Sequence, residues 1–128
     1  MAKVCEAIKA TMADKVGLLA EVTDGLKEAG VNILAICAWV EGDKGKLLMV
    51  TDDNQAACAA VSEMAEACEF SPGVCAKVPN KPGALGKVAR KLADAGIHIR
   101  LVYATPGDAE KATVVLHTSD DAKAAKLL

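Results

Sequence analysis

Asp14-Lys15-Val16-Gly17-Leu18-Leu19 and Asn80-Lys81-Pro82-Gly83-Ala84-Leu85 stand 66 residues apart, and the stretch after each is one pattern written twice. Lys15/Lys81, Gly17/Gly83, Leu19/Leu85, Val22/Val88, Leu26/Leu92, Ala29/Ala95, Gly30/Gly96, Ile33/Ile99 and Ala38/Ala104 are identical, 9 of the 26 positions from Ala13 to Ala38. A second match sets Thr51–Val61 against Thr118–Leu128 at an offset of 67, so one residue enters in between. Self-similarity at a fixed period marks a duplicated supersecondary unit. The 128 residues therefore divide into two modules, 1–71 and 72–128.

Each copy reads alike. Leu19, Val22, Leu26 and Ala29 recur at spacings of three and four among charged residues, which predicts one apolar stripe on an amphipathic helix. Leu85, Val88, Leu92 and Ala95 repeat it. Asp14 or Asn80 precedes the helix as a candidate cap, and Gly30 or Gly96 follows as a left-handed stop. Strands follow over Val31–Val40 and Ile97–Ala104, then turns at Glu41–Gly45 and Thr105–Lys111, then returning strands Lys46–Thr51 and Ala112–Thr118. A second helix is expected over Asn54–Ala67, a closing strand at Cys68–Ser71, and opening strands at Val4–Met12 and Val74–Val78. The order is βαββαβ, a ferredoxin-like α+β module whose antiparallel sheet carries helices on one face. Two tandem copies should place two such sheets side by side. The second copy is truncated: Leu128 aligns with Val61, so its closing strand is missing.

The Asp14–Leu19 loop ending in Gly30-Val31-Asn32-Ile33 resembles the opening of an ACT domain, and Asn80–Leu85 ending in Gly96-Ile97-His98-Ile99 resembles it more closely through its Asn-x-Pro-Gly loop. The likeness spans the chain as two tandem ACT modules. It implies a small regulatory domain that binds an amino acid where two modules lie side by side. In family members that bind serine, a loop asparagine and an asparagine early in the following strand hold the ligand. Carried over, these are Asn80 with Asn32; the reciprocal pair, Asp14 with His98, departs from the pattern. The loop is also a reasonable site on physical grounds. Glycine at a helix mouth (Gly17, Gly83) admits close backbone approach, and first-turn amides such as those near Leu18 and Ala84 lack internal partners and face an anion. A ligand ammonium then needs an acceptor, which Asp14 or the Asn80 carbonyl supplies. The plain alternative is that Asp14 and Asn80 only cap helices and the glycines only shape turns.

Composition narrows the remaining classes. Hydrophobic residues are 52% and charged residues 25%, enough to bury a core. Alanine fills 25 positions, while Trp39, Tyr103 and Phe70 are the only aromatics. With 15 basic against 17 acidic residues and so few stacking rings, nucleic acid is not an expected partner. The longest apolar run, Ile33–Val40, is eight residues, so no membrane association is expected either. The N-terminus has no signal-peptide core, and Cys5, Cys37, Cys58, Cys68 and Cys75 are odd in number without a C-x-x-C pair. They read as reduced thiols in a cytoplasmic protein. His98 and His117 lack ligand-like companions, so neither metal nor cofactor is expected. No nucleophile elbow or phosphate loop is present, and the expectation is not an enzyme. The leading reading is an amino-acid-binding regulatory module, homodimeric and acting on a target enzyme or regulator. The alternatives are a ferredoxin-like metal or thiol carrier and a purely structural dimerisation module. Self-association is expected because β-residues on both faces of Val31–Val40 are apolar.

Overall fold

The computed structural model describes residues 2–106 and 110–128, so part of the expected Thr105–Lys111 turn lies outside the described residues. Ten elements follow in order: β1 (Ala2–Ala13), α1 (Leu18–Glu28), β2 (Ile33–Glu41), β3 (Lys44–Thr51), α2 (Asn54–Val61), β4 (Ala65–Pro79), α3 (Ala84–Asp94), β5 (Ile99–Pro106), β6 (Lys111–Thr118) and α4 (Asp121–Leu127). The architecture is α+β, antiparallel and ferredoxin-like, as the repeat predicts. The strands, however, form one six-stranded sheet in the order β2-β3-β1-β4-β6-β5 where two adjacent sheets were expected, because β1 and β4 are each long enough to serve both modules. Two compact units divide the chain: Glu6–Ser71, and Met1–Cys5 together with Pro72–Leu128. One division falls at the expected 71/72 boundary, inside β4. The other detaches the first five residues from the module to which the repeat assigned them.

In the first unit β3 pairs with β1, placing Ile8 opposite Met49 and Ala10 opposite Leu47, and with β2, placing Ile36 opposite Met49. Paired residues share a face, so alternate residues of the strands present Ile8, Ala10, Met12, Leu47 and Met49 to Leu18, Val22 and Leu26 of α1 and to Ala57 and Val61 of α2. Each fully buried aliphatic side chain contributes about 1.5–3 kcal/mol. In the second unit β6 pairs with β4 and β5, and Val74, Val78, Val114 and Leu116 meet Ala84, Val88 and Leu92 of α3 and Ala124 of α4. Here the edge left by the missing closing strand is taken by the start of β1. Cys5 and Cys75 approach to a Cα separation of 5.8 Å, and Ala2 packs against the core.

The α1 stripe turns by one residue relative to expectation. Leu18 is buried and Leu19 is 50% exposed; in α3, Ala84 is buried and Leu85 is 46% exposed. The helix α2 stops at Val61 instead of Ala67, because Ser62 tightens the last turn: its amide and its Oγ both donate to the Ala59 carbonyl, at 3.3 and 2.8 Å. The chain can then turn back, which brings Cys68 to Cys58. The reduced-thiol expectation is corrected accordingly: Cys5–Cys75 and Cys58–Cys68 are disulfides, and Cys37 is the free thiol. Among the described residues no helix is long and apolar enough to cross a membrane. Leu48 and Val50, on the sheet face away from the helices, are 3% and 8% exposed, so that face is not the bare apolar surface the sequence suggests.

Helix starts also differ from expectation. Asp14 and Asn80 cap nothing: the N-cap residues are Gly17 and Gly83, at φ 85° and 86°, and neither helix receives a side-chain cap. Only glycine holds that left-handed conformation cheaply. Asp14 and Asn80 instead donate their backbone amides to the Asp43 and Glu110 carbonyls, at 3.0 and 2.8 Å, tying each loop to the neighbouring hairpin. True caps occur at α2 and α4, where Asp53 and Asp120 each accept an amide hydrogen bond at 3.0 Å from Ala56 and Lys123. Replacing Asp53 by Ala should therefore cost about 1 kcal/mol in denaturant unfolding, while Asp14→Ala should cost well under half of that. A larger loss in Asp14→Ala would restore the capping role. The ion pair of Lys44 with Glu66 links β3 to β4, and that hydrogen bond raises the Lys44 pKa. Its contribution is full below the ordinary lysine range and fades as pH rises through the raised value.

Candidate functional site

The mouth of α1 opens on a cavity of about 310 Å³, lined by Asp14, Lys15, Gly17, Leu18, Leu19 and Ala20 from the loop and helix, by Ala38, Trp39 and Val40 of β2, and by Gly45, Lys46 and Leu47 of β3. That volume is at the lower end for small-molecule pockets, roughly 300–1,000 Å³. The amides of Leu19 and Ala20 lie in the uncapped first turn, with the positive end of the helix dipole behind them. An anion suits them. Asp14 lines the same space, and its carboxylate would suit a cation. Two nearby ammonium groups are already engaged: Lys15 with Glu21 at 2.8 Å, and Lys46 with Thr11 Oγ1 at 3.3 Å. The remaining walls are chiefly aliphatic.

One residue shapes the floor. A Cβ at Gly45 would lie 2.5 Å from Leu18 Cδ2, so a side chain at position 45 would require the end of Leu18 to shift. The second unit solves the same place differently, with Ala84 for Leu18 and, by the β3/β6 match, Ala112 for Gly45.

Of the expected site residues, Asp14, Gly17 and Leu18 are brought together in this cavity, while Asn80, Gly83 and Ala84 form the corresponding loop of the second unit. Asn32 and His98 do not line the cavity. Each immediately precedes a strand and is exposed: Asn32 N–H donates to Asp52 Oδ1 at 2.9 Å, and His98 N–H to Ser119 Oγ at 3.0 Å. The wall from β2 was not foreseen. The identity of Ala38 with Ala104 was its one signal, and a small residue under a helix mouth leaves room for a guest. Among the described residues no group of three or more His, Cys, Asp or Glu is placed to hold a metal ion.

No protein-family model matches the chain, and no curated protein matches it. A solved protein of Bacteroides thetaiotaomicron superposes with a TM-score of 0.87 at 29% identity, over 99% of this chain and 88% of that one. The ligand-free regulatory subunit of aspartate kinase from Thermus thermophilus superposes with a TM-score of 0.71 at 17% identity, over 98% and 93% of the two chains. For aspartokinase alpha and beta subunits the values are 0.67 and 16%, over 98% and 93%. The fold is that of aspartate kinase regulatory domains. The expected ferredoxin-like α+β architecture is met, and the likeness to the kinase subunits is one of fold.

Proposed function

We propose that the chain is a non-catalytic regulatory module, two ACT modules in tandem, that binds a free amino acid and alters its association with a target enzyme or regulator. The observation that carries this reading is the cavity at the mouth of α1, lined both by Asp14 and by Leu19 and Ala20 of the uncapped first turn. An α-amino acid meets both demands: its carboxylate takes the Leu19 and Ala20 amides and its ammonium takes Asp14. Leu18, Leu19, Ala38, Val40 and Leu47 would then enclose its side chain, which favours an aliphatic amino acid. The likeness in fold to regulatory subunits supports the regulatory half of the reading. Self-association as a homodimer belongs to the same proposal, since Leu34, Ile36 and Val40 of β2 remain 52%, 37% and 57% exposed.

A thermal-shift screen of the twenty amino acids tests it. Saturation to 100 times the dissociation constant adds about 2.7 kcal/mol, a rise of several degrees in the melting midpoint. Valine, leucine or isoleucine should raise the midpoint most, and Asp14→Asn should abolish most of the rise. No shift with any amino acid at millimolar concentration would end the sensor reading.

A further inference from the structure

Each strand that bears the Cys5–Cys75 disulfide carries a lysine two residues away, Lys3 on β1 and Lys77 on β4. Side chains two apart on a strand share a face, so both lysines stand on the disulfide's own side of the sheet. A cavity of about 280 Å³ opens there, lined by Ala2, Lys3, Cys75, Ala76, Lys77 and Thr113. Its size is close to the roughly 300 Å³ at which small-molecule pockets begin. Lys77 Nζ donates to Thr113 Oγ1 at 2.7 Å, which holds the ammonium in place and leaves its other protons for a guest. Among the described residues no carboxylate lines the space.

The surrounding charge has the same sign. The unit that contains this cavity, Met1–Cys5 with Pro72–Leu128, holds 10 basic and 5 acidic residues, net +5, although the whole chain is −2. The other disulfide, Cys58–Cys68, lies in Glu6–Ser71, where 12 acidic and 5 basic residues give −7 and Glu66 and Glu69 flank Cys68. A disulfide is opened by a thiolate, an anion, so a partly exposed sulfur among cations is the one such a reagent reaches first. Cys5 and Cys75 are both half-buried, and of the two it is Cys75 that lines the cavity.

We propose that this cavity is a thiol–disulfide exchange site for a small thiol that carries carboxylates. The guest's carboxylates meet Lys3 and Lys77, and its thiolate attacks Cys75 Sγ. A new S–S bond joins guest and Cys75 as the Cys5–Cys75 bond breaks; Cys5 leaves with the electron pair as a thiolate and takes a proton from water. One disulfide replaces another, so no separate oxidant or reductant is consumed. Lys77 and Thr113 lie on β4 and β6 and keep the adduct when β1 departs. Residues 2–5 then lose their covalent tie, and the edge of the second unit that they cover is opened. The adduct on Cys75 would thus act as a reversible modification that uncovers a sheet edge.

Two thiols of opposite charge test this on the native wild-type chain: reduced glutathione, which is anionic, and cysteamine, which is cationic. They are compared at equal thiolate concentration, quenched with N-ethylmaleimide and mapped by mass spectrometry. Glutathione should open Cys5–Cys75 at least about ten-fold faster than cysteamine, with its adduct on Cys75. Cys58–Cys68 should show no such preference. The preference should disappear in about 0.5 M salt, where the screening length is below about 5 Å, and in Lys3→Met with Lys77→Met, which alters only exposed positions. Amides of residues 2–5 should lose hydrogen-exchange protection as the adduct forms. Equal rates for the two thiols, an adduct on Cys5, or a link that opens only on denaturation would overturn the site; retained protection of residues 2–5 would overturn the release.

Discussion

Opening the Cys5–Cys75 disulfide should lower the stability of the protein by about 4 kcal/mol, and opening Cys58–Cys68 by about 3 kcal/mol. The difference comes from the chain each closes, 70 residues in the first case and 10 in the second. The first link also holds what little else can hold. Lys3 and Val4 are exposed, and within residues 2–5 it is Ala2 that packs against the core of the second unit. Paired serine substitutions, Cys5→Ser with Cys75→Ser and Cys58→Ser with Cys68→Ser, should lower the melting midpoint on the order of 10 °C, the first pair by more. Hydrogen exchange should show amides of residues 2–5 and 74–78 losing protection in the first variant. Equal melting of both variants and wild type would mean that neither link constrains the chain.

Gly45→Ala should destabilise by about 1–3 kcal/mol, the usual cost of overfilling a packed site. The new Cβ would lie 2.5 Å from Leu18 Cδ2, so the end of Leu18 must leave its packed position for the cavity it lines. Leu18→Ala alone should cost about 2–5 kcal/mol through the void it leaves. The informative variant is the double one. With Leu18 shortened, Ala at position 45 meets open space and should add almost nothing, a coupling of about 1–2 kcal/mol. That pair of alanines is the arrangement already present as Ala84 and Ala112 in the second unit. Simple additivity in denaturant unfolding would show that Leu18 and Gly45 do not constrain each other. Because Leu18 floors the cavity, Gly45→Ala should also weaken amino-acid binding.

The fold was legible because the chain states it twice. The 66-residue offset, the helical spacing and the glycine stops point to one answer in both copies. The same device misled at Leu19. Both Leu18-Val22-Leu26 and Leu19-Val22-Leu26 fit a helical stripe, and identity with Leu85 favoured Leu19. Identity there marks an exposed position rather than the core. The end of α2 was not readable, since Asn54–Ala67 is rich in alanine and the Ser62 turn and Cys58–Cys68 link act only once the chain has folded back. Cysteine pairing depends likewise on distances that spacing does not give. A third of the candidate cavity's lining, Asp14, Lys15, Gly17 and Leu18, was visible as a loop motif. The β2 wall was not, because which strand lies under a helix mouth is a tertiary fact.

The assignment of residues 2–5 to the second unit has a consequence for biosynthesis. Glu6–Ser71 is continuous in sequence, so it can assemble as soon as it leaves the ribosome. The other unit cannot. Its outermost strand is synthesised first, while the strand it joins emerges some 70 residues later. During that interval Cys5 is a free thiol without its intended neighbour, beside Cys58 and Cys68, which already have each other within reach. Early formation of Cys58–Cys68 would therefore protect the nascent chain from mispairing with Cys5. Cys37 would then be the one remaining competitor for Cys5 until Cys75 emerges.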